Sequence, residues 1–344
     1  MSKKTARKKS SNTNSRSSSG TQKKTRLALF VLGILILTVV IGKMFSLALE
    51  FYYPKKDSQL NKNYVWDENN IDLLVNKDKN LSLLSFNPTE NTLIVLNIPD
   101  DTYLEVPQKH GSWMVSSVYN LGQSVKEPLG SRLLVYSVSN FLGIPIDGFL
   151  QSELEDLDAQ TMVDGLRQNP FSILKYLSLD SNLNKSEKLR LFWGISRVRF
   201  DKVTEIDLQT NLTLTSLADR TQVLTADPVR LNTIAANFIE NSFKTERLEI
   251  AVVNATEIGG LAFKASRLIE NIGGDVVITT TSSRKSKNTF LIGSNSKSFD
   301  RLSQIFNSDC LNNPQCDKID VSDLQLEDRV DLILVLGEDF NNRF

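Results

Sequence analysis

The stretch NLSLLSFNPTENTLIVLNIPDDT, residues 80–102, contains two apolar runs joined by turn-forming residues. Leu81–Phe86 and Thr92–Ile98 have the length of strands and are bounded by turn residues, as strands of a hairpin are. The NPTEN segment between them supplies asparagine and proline, which suit the backbone angles of turns. The stretch therefore predicts a β-hairpin, and we expect its domain to begin near Ile71.

Pro99 and two adjacent aspartates follow the second run. The local interpretation is a strand end, where proline stops the ladder and an aspartate accepts backbone N–H bonds in a turn. A functional alternative is a divalent cation held by Asp101 and Glu105 through carboxylate oxygens. Adjacent strand residues point to opposite faces, so Asp100 and Asp101 could share a cation only through an irregular backbone.

Apolar periodicity predicts helices and strands on both sides of a polar, threonine-rich segment, residues 211–245, which we interpret as a linker with one helix over Pro228–Phe243. Upstream, within residues 71–210, the predicted helices are Ser131–Leu142, Thr161–Arg167 and Lys185–Arg197, with strands at Ile146–Leu150 and Phe200–Leu208. Downstream, within residues 246–344, the predicted strands are Leu248–Val253, Asp275–Thr280, Asn288–Ile292 and Val330–Leu336, with helices Leu261–Ile272 and Phe299–Phe306. The strands that alternate with helices after residue 246 predict a small α/β domain there. Upstream, we expect the helix Ser131–Leu142 to pack on the sheet of the hairpin.

The N-terminal tail is strongly basic although the whole chain has 40 basic and 40 acidic residues. Residues 1–26 hold nine Lys or Arg and no acid, with little apolar surface to bury, so we expect this tail to be disordered. A DNA-binding arm is one alternative for such a segment. The tail alone predicts no specific nucleic-acid partner, since any polycation binds nucleic acid in a salt-dependent way.

An apolar run, Leu27–Gly42, follows the tail and continues past Lys43 to Leu49. Roughly 20 such residues span a bilayer as a helix. We therefore predict a transmembrane helix over residues 27–49 and a stalk over 50–70. The positive-inside rule places the tail in the cytoplasm and the rest outside the cell membrane as a single-pass protein. Cleavage as a signal peptide after Ala48 is the alternative.

Cysteines and arginines supply the remaining candidates. Cys310 and Cys316 enclose a short external loop, where a local disulfide is expected and two free, partly buried thiols are the alternative. Arg197 and Arg199 are two residues apart, which places both on one face of a strand and would suit an anionic ligand; a solvated face is the plain alternative. His110 is the single histidine, so a Ser-His-Asp catalytic triad could form only around this residue.

The C-terminal part resembles the LytR C-terminal domain, a small α/β module of bacterial envelope proteins. Ile250–Gly273, IAVVNATEIGGLAFKASRLIENIG, is similar to the first strand, turn and helix start of that family. Val330–Phe340, VDLILVLGEDF, is similar to its closing strand. Ala255 stands where the family usually has glycine.

The upstream part resembles the LytR-CpsA-Psr catalytic domain, through NLSLLSFNPTENTLIVLNIPDDTYLEVP and Phe141–Leu150, FLGIPIDGFL. Members of that family transfer glycopolymers from a polyprenyl pyrophosphate carrier to peptidoglycan, outside the membrane and with a divalent metal. The resemblance implies the α/β fold of that family and the anchored topology predicted above.

Two departures from the family pattern weaken the implied activity. Asp100 stands where the family has a pyrophosphate-binding arginine, and Lys79 stands where an acid opens the hairpin. A guanidinium offers paired donors to pyrophosphate, whereas a carboxylate repels it. Of the motif, Asp101 and Thr102 remain. We therefore expect a degenerate domain without cofactor, in a protein that binds or scaffolds at the cell wall, with the membrane and peptidoglycan or another wall glycan as partners.

Two alternatives stay open. An active transferase with a rearranged site would use Asp101 and Glu105 on Mg²⁺, with Arg197 and Arg199 on phosphate. An envelope-linked regulator would use its basic tail to bind nucleic acid.

Overall fold

The computed structural model describes residues 30–43 without 31, 33 and 40, then 60, 64–66, 69–77, 80–124, 129–151, 159–308, 326 and 328–343. The chain divides into two compact units, Met1–Phe51 and Tyr52–Phe344. In the first unit, the described residues between 30 and 43 are helical and exposed. Among all described residues, no helix combines the length and the apolar character needed to cross a membrane. The anchor over residues 27–49 stays a prediction.

A six-stranded sheet forms the centre of the second unit, in the order β7-β6-β1-β2-β3-β8. Its strands are β1 Ile71–Lys77, β2 Asn80–Asn87, β3 Thr92–Ile98, β6 Gly148–Gln151, β7 Asp180–Ser181 and β8 Val203–Asp207. The expected hairpin is present, since β2 pairs with β3 in antiparallel register from Leu81↔Ile98 to Asn87↔Thr92. β6 runs parallel to β1, and β8 runs parallel to β3.

Both faces of this sheet are covered, which explains why β2 and β3 are apolar along most of their length. On one face, Leu83 and Leu96 pack with helices α1 Val115–Gln123 and α2 Gly130–Leu142. On the other face, Leu84 and Val95 pack with three further helices. Those helices are α3 Ala159–Gln168, α4 Ile173–Tyr176 and α5 Lys185–Ser196. The helix predicted over Ser131–Leu142 is α2, which ends at Gly143 in a left-handed conformation with φ 71°.

Residues 211–245, expected to be a linker, are packed structure. They form the hairpin β9 Thr213–Ser216 and β10 Gln222–Thr225, followed by helices α6 Pro228–Ala235 and α7 Asn241–Glu246. Leu231 and Ile234 of α6 join the core beneath α2, whereas Phe243 of α7 joins the C-terminal core. The single helix expected over Pro228–Phe243 is wrong, because Ile239 and Glu240 adopt extended backbone angles between the two helices.

The C-terminal part is a four-stranded sheet in the order β12-β11-β14-β13. Its elements are β11 Glu249–Asn254, α8 Leu261–Asn271, β12 Asp275–Thr281, β13 Phe290–Gly293, α9 Lys297–Phe306 and β14 Leu332–Leu336. Between β11 and α8, the Asn254 side chain accepts from the Thr256 amide at 3.0 Å and donates to the Ile258 carbonyl at 2.8 Å. This asparagine therefore holds the turn, and the mixed α/β class expected from the sequence is found.

A core substitution tests which aromatic side chains stabilise the second unit. Phe192 on α5 is fully buried and meets Tyr176 at 5.9 Å between ring centroids, whereas Phe200 is 80% exposed. Phe192→Ala should lower the free energy of unfolding by about 3–5 kcal/mol through lost burial and a cavity. Phe200→Ala is the matched control and should change it by less than about 0.5 kcal/mol. Urea unfolding of residues 52–344 measures both; equal effects would contradict this packing.

Candidate functional site

The Asp100–Thr102 turn is joined by main-chain hydrogen bonds to two neighbouring elements. The Thr102 amide donates to the Pro99 carbonyl at 3.0 Å, which closes the turn. The Asp101 carbonyl accepts from the Leu224 amide of β10 at 2.9 Å, and the Thr102 carbonyl accepts from the Val115 amide at 2.8 Å. The local interpretation, a strand end followed by a turn, therefore agrees with the structure.

Asp100 lies against the first turn of α1, because its carbonyl accepts from the Ser116 amide at 3.4 Å. A negative charge near a helix N-terminus is stabilised by the helix dipole. Thr102 is fully buried, and its hydroxyl oxygen has no hydrogen-bond partner within the described part of the protein. The turn is thus a structural junction between β3, α1 and β10.

Glu105 lies on the short hairpin of β4 Tyr103–Val106 and β5 Gly111–Met114, where it is exposed. It borders a groove of about 620 Å³ whose wall includes Phe141, Val229, Phe263 and Arg267. Among the described residues, no group of three or more His, Cys, Asp or Glu side chains is placed to hold a metal ion. Asp101 and Glu105 remain a prediction as metal ligands.

Arg197 and Arg199 lie at the opposite end of β3 from Asp101. β3 and β8 are parallel with Leu93 beside Val203, so the residues that precede β8 lie near the start of β3. The Asn91 side chain donates to the Arg197 carbonyl there, at 3.5 Å. The seven residues of β3 separate this end from Asp101 by about 20 Å. The structure therefore does not bring the two halves of the rearranged site together.

The spacing of the two arginines suggested that both lie on one face of a strand, but in the structure they do not share a strand. Arg197 caps α5 in a helical conformation, and its guanidinium lies 4.6 Å from the centroid of the Trp193 ring. Arg199 is exposed and pairs with Asp201 at 3.0 Å. Lys79 and the cysteines of the expected disulfide, Cys310 and Cys316, lie outside the described residues.

A buried ion network joins the upstream and C-terminal parts. Arg301 of α9 has a side chain only 3% exposed, and its Nη1 and Nη2 donate to the two carboxylate oxygens of Asp147 at 2.6 and 2.9 Å. Its Nε and Nη2 donate to Glu240 at 2.9 and 2.7 Å. Asp147 also accepts from the Tyr64 hydroxyl and the Asp72 amide, each at 3.0 Å. The guanidinium of the C-terminal part is thereby held by Asp147 of the upstream part and by Glu240 of the segment 211–245.

The two carboxylates titrate differently because their partners differ. Burial opposes ionisation of Asp147, but the charge and hydrogen bonds of Arg301, with the donors from Asp72 and Tyr64, lower its pKa overall. Burial raises the pKa of Glu240, and the Arg301 charge only partly offsets this. Burial also lowers the pKa of Arg301, but both carboxylates outweigh it and raise the pKa well above the usual value. Arg301 therefore stays charged, and as pH falls Asp147 keeps its negative charge to a lower pH than Glu240 does.

A second arginine, Arg267 of α8, caps the C-terminus of α2. Its guanidinium donates to the carbonyls of Asn140 at 2.9 Å and Phe141 at 3.2 Å, while Asn271 donates to the Gly143 carbonyl at 2.8 Å. The carbonyls of Asn140 and Phe141 lie in the last turn of α2, where helix carbonyls have no partner within the helix, and a cation at this end also offsets the helix dipole. Sequence periodicity does not reveal either arginine contact, since both partners are far away in the chain.

No protein-family model matches the chain. Curated relatives do match it: TagU of Bacillus anthracis and of Bacillus cereus, each named "Polyisoprenyl-teichoic acid--peptidoglycan teichoic acid transferase", are 26% identical over 154 residues. The match covers 38% of this chain and 48% of each relative, so the chain spans about half the length of the curated relatives it matches. This similarity agrees with the resemblance to the LytR-CpsA-Psr family recognised in the sequence. The resemblance of residues 246–344 to the LytR C-terminal domain stays a prediction.

Solved structures of B. subtilis proteins match more weakly. TagT is 17% identical with a TM-score of 0.36, over 51% of this chain and 92% of that one. TagV is 15% identical with a TM-score of 0.38, over 49% and 95%. Likeness at this level is too weak to indicate a shared activity.

Removing the Arg301 guanidinium should destabilise the second unit strongly. Arg301→Ala leaves two buried carboxylates without their cation, so the free energy of unfolding should fall by about 3–5 kcal/mol. Arg199→Ala breaks only an exposed pair and should cost less than about 1 kcal/mol. Urea unfolding of residues 52–344 gives both values, and similar losses would show that the network contributes little.

The buried acid Asp72 should make stability depend on pH. Burial, with the nearby charge of Asp147, raises the pKa of Asp72 well above its usual value, so the folded protein keeps a proton that the unfolded chain releases near pH 4. The stabilisation is full below that pH and is lost as pH rises towards the folded pKa, at about 1.4 kcal/mol per pH unit. Thermal unfolding between about pH 5 and 8 should show this decline in the wild type and a flatter profile in Asp72→Asn. Parallel profiles would contradict it.

Proposed function

We propose that this chain is a membrane-anchored, extracytoplasmic protein of the bacterial cell envelope that binds or scaffolds at the cell wall without LytR-CpsA-Psr-type transfer. In this proposal residues 27–49 are a single-pass anchor with the N-terminus in the cytoplasm, and residues 246–344 are a LytR C-terminal domain. The expected partners are the membrane and peptidoglycan or another wall glycan.

The main support for a non-catalytic role is the separation of Asp101 from Arg197 and Arg199. A transferase must hold a pyrophosphate with permanent positive charge next to its acidic group. Asp100 is an acid at the position of the family's arginine, and the two arginines considered as replacements lie about 20 Å away, at the other end of β3.

The packing next to the turn supports the same proposal. The space between α2 and the sheet is filled by buried side chains, among them Leu96, Leu133 and Val138. A ligand with a long apolar chain could enter this layer only by displacing them, and close-packed cores resist such displacement. The curated relatives are named as transferases, so an active enzyme with a different site is the alternative to test.

Binding to the wall is tested by co-sedimentation of residues 52–344 with purified sacculi. The four hydrophobic cores found among the described residues lie inside this fragment, so it is expected to fold. The fragment should pellet with sacculi and stay soluble without them, while the Arg301→Ala variant, whose domains have lost their buried link, should pellet less. A fragment that remains in the supernatant would contradict wall binding.

Catalysis is tested on the same fragment with a polyprenyl-pyrophosphate-linked glycopolymer, peptidoglycan and Mg²⁺. The expected result is no turnover above the protein-free blank, for the wild type and for Asp101→Ala alike. Turnover by the wild type that Asp101→Ala abolishes would establish the transferase and overturn the proposal.

A further inference from the structure

A patch of exposed aromatic, aliphatic and basic side chains lies where α3 and α5 end. We call it the α3–α5 patch; it consists of Phe171, Leu174, Trp193, Arg197, Arg199 and Phe200. Phe171 is 82% exposed, Phe200 80%, Leu174 71% and Trp193 46%. Large apolar side chains exposed to this degree and gathered in one region mark an interaction surface more often than chance.

Contacts through the last turns of α3 bring the patch together. The Arg167 guanidinium lies 5.3 Å from the Phe200 ring centroid and donates to the Val198 carbonyl at 3.2 Å. Two residues earlier in α3, the Gly165 carbonyl accepts from the Ser172 hydroxyl at 3.1 Å, which places the segment next to Phe171 against the end of the same helix. Segments 171–175 and 193–200 therefore flank one helix end.

The apolar side chains of the patch point outward while their neighbours form the core. In α4, Ile173 and Tyr176 are buried, whereas Leu174 and Lys175 between them are exposed. In α5, Leu191 and Phe192 are buried and Trp193 is exposed. The core is thus complete without the patch, and the exposed side chains are not needed for packing.

The region around the patch is basic within a chain of zero net charge. Residues 164–202 hold eight Lys or Arg and four Asp or Glu. Arg197 stacks on Trp193 and forms a cation–π pair, which strengthens when water is excluded. Arg199 pairs with Asp201 at 3.0 Å, but the side chains are 77% and 58% exposed, respectively, so this ion pair is weak.

We propose that the α3–α5 patch binds the anionic surface of a lipid bilayer. Tryptophan and phenylalanine insert at the level of the headgroups, and arginine pairs with lipid phosphate while its stem lies along apolar surface. The inference rests on the membrane anchoring of the proposed function, since an anchored protein meets the bilayer at high local concentration. A polyanionic wall polymer is the less suitable partner, because it gives Leu174 and Phe171 no apolar phase to enter.

Vesicle flotation of residues 52–344, which lack the predicted anchor, tests the patch separately from anchoring. The fragment should float with phosphatidylcholine vesicles that contain phosphatidylglycerol, and only weakly with phosphatidylcholine alone. Each basic residue near an anionic surface strengthens binding about fivefold, so Arg197→Gln with Arg199→Gln should weaken binding to these vesicles about 25-fold. Arg220→Gln with Arg230→Gln, two exposed arginines elsewhere, is the charge-matched control and should bind like the wild type.

Insertion of apolar side chains gives a second readout. Phe171→Ser with Phe200→Ser should lower vesicle binding at least tenfold at unchanged charge. Brominated lipid should quench the tryptophan fluorescence of the wild type but not of Trp193→Phe, which keeps the other two tryptophans.

Three results would overturn the proposal. The first is an equal loss of vesicle binding in the Arg220→Gln, Arg230→Gln control, and the second is unchanged vesicle binding after the two serine substitutions. The third is binding of polyphosphate that competes fully with vesicles and is not weakened by the serine substitutions. The last result would identify a polyanion site. Wall binding is measured on sacculi, which contain no lipid, so failure on vesicles leaves that result unaffected.

Discussion

The buried guanidinium of Arg301 is the interaction on which the arrangement of the second unit depends. Burying a charge is costly unless it is paired and hydrogen-bonded, and Arg301 meets this condition with one carboxylate from each of two distant segments. Asp147 immediately precedes β6, the strand that runs parallel to β1. Glu240 stands in the extended break between α6 and α7. The fork geometry of arginine allows this bridge, whereas the point charge of lysine would not span both partners.

The same constraint explains why residues 211–245 are ordered. A polar, threonine-rich sequence suggests a loose connection, but Glu240 must reach Arg301, and Leu231 must reach the core beneath α2. Arg267 fixes the other side of the junction by capping α2. The two domains are therefore held together by buried charged contacts. Moving one domain relative to the other would break these ion pairs and leave buried charges unpaired, which costs free energy.

The elements that local pattern determines were predictable from the sequence. The β2–β3 hairpin, α2 with its glycine cap, and the alternating elements after residue 248 follow from apolar runs bounded by turn residues. Contacts between distant residues were not predictable: FDRLSQIF gives Arg301 the appearance of a surface arginine, and nothing near Asp147 indicates its partner. The two-residue spacing of Arg197 and Arg199 suggested one strand face, whereas the helix predicted over Lys185–Arg197 agrees better with the structure, in which Arg197 caps α5. The Asp100–Thr102 turn was predictable in form from Pro99 and the aspartates that follow it, whereas the loss of a family arginine at Asp100 stays a prediction from the resemblance.

The interactions of the second unit divide between the two faces of its central sheet. α2, which Arg267 caps, covers the face that packs Leu83 and Leu96, so the C-terminal part docks on that side. α3 and α5 cover the opposite face, which packs Leu84 and Val95, and their ends carry the exposed aromatic and basic side chains. Domain docking and surface binding therefore do not compete for the same residues. A partner at the α3–α5 patch would contact none of the residues that form the Arg301 network, so its binding would leave the docking of the C-terminal part unchanged.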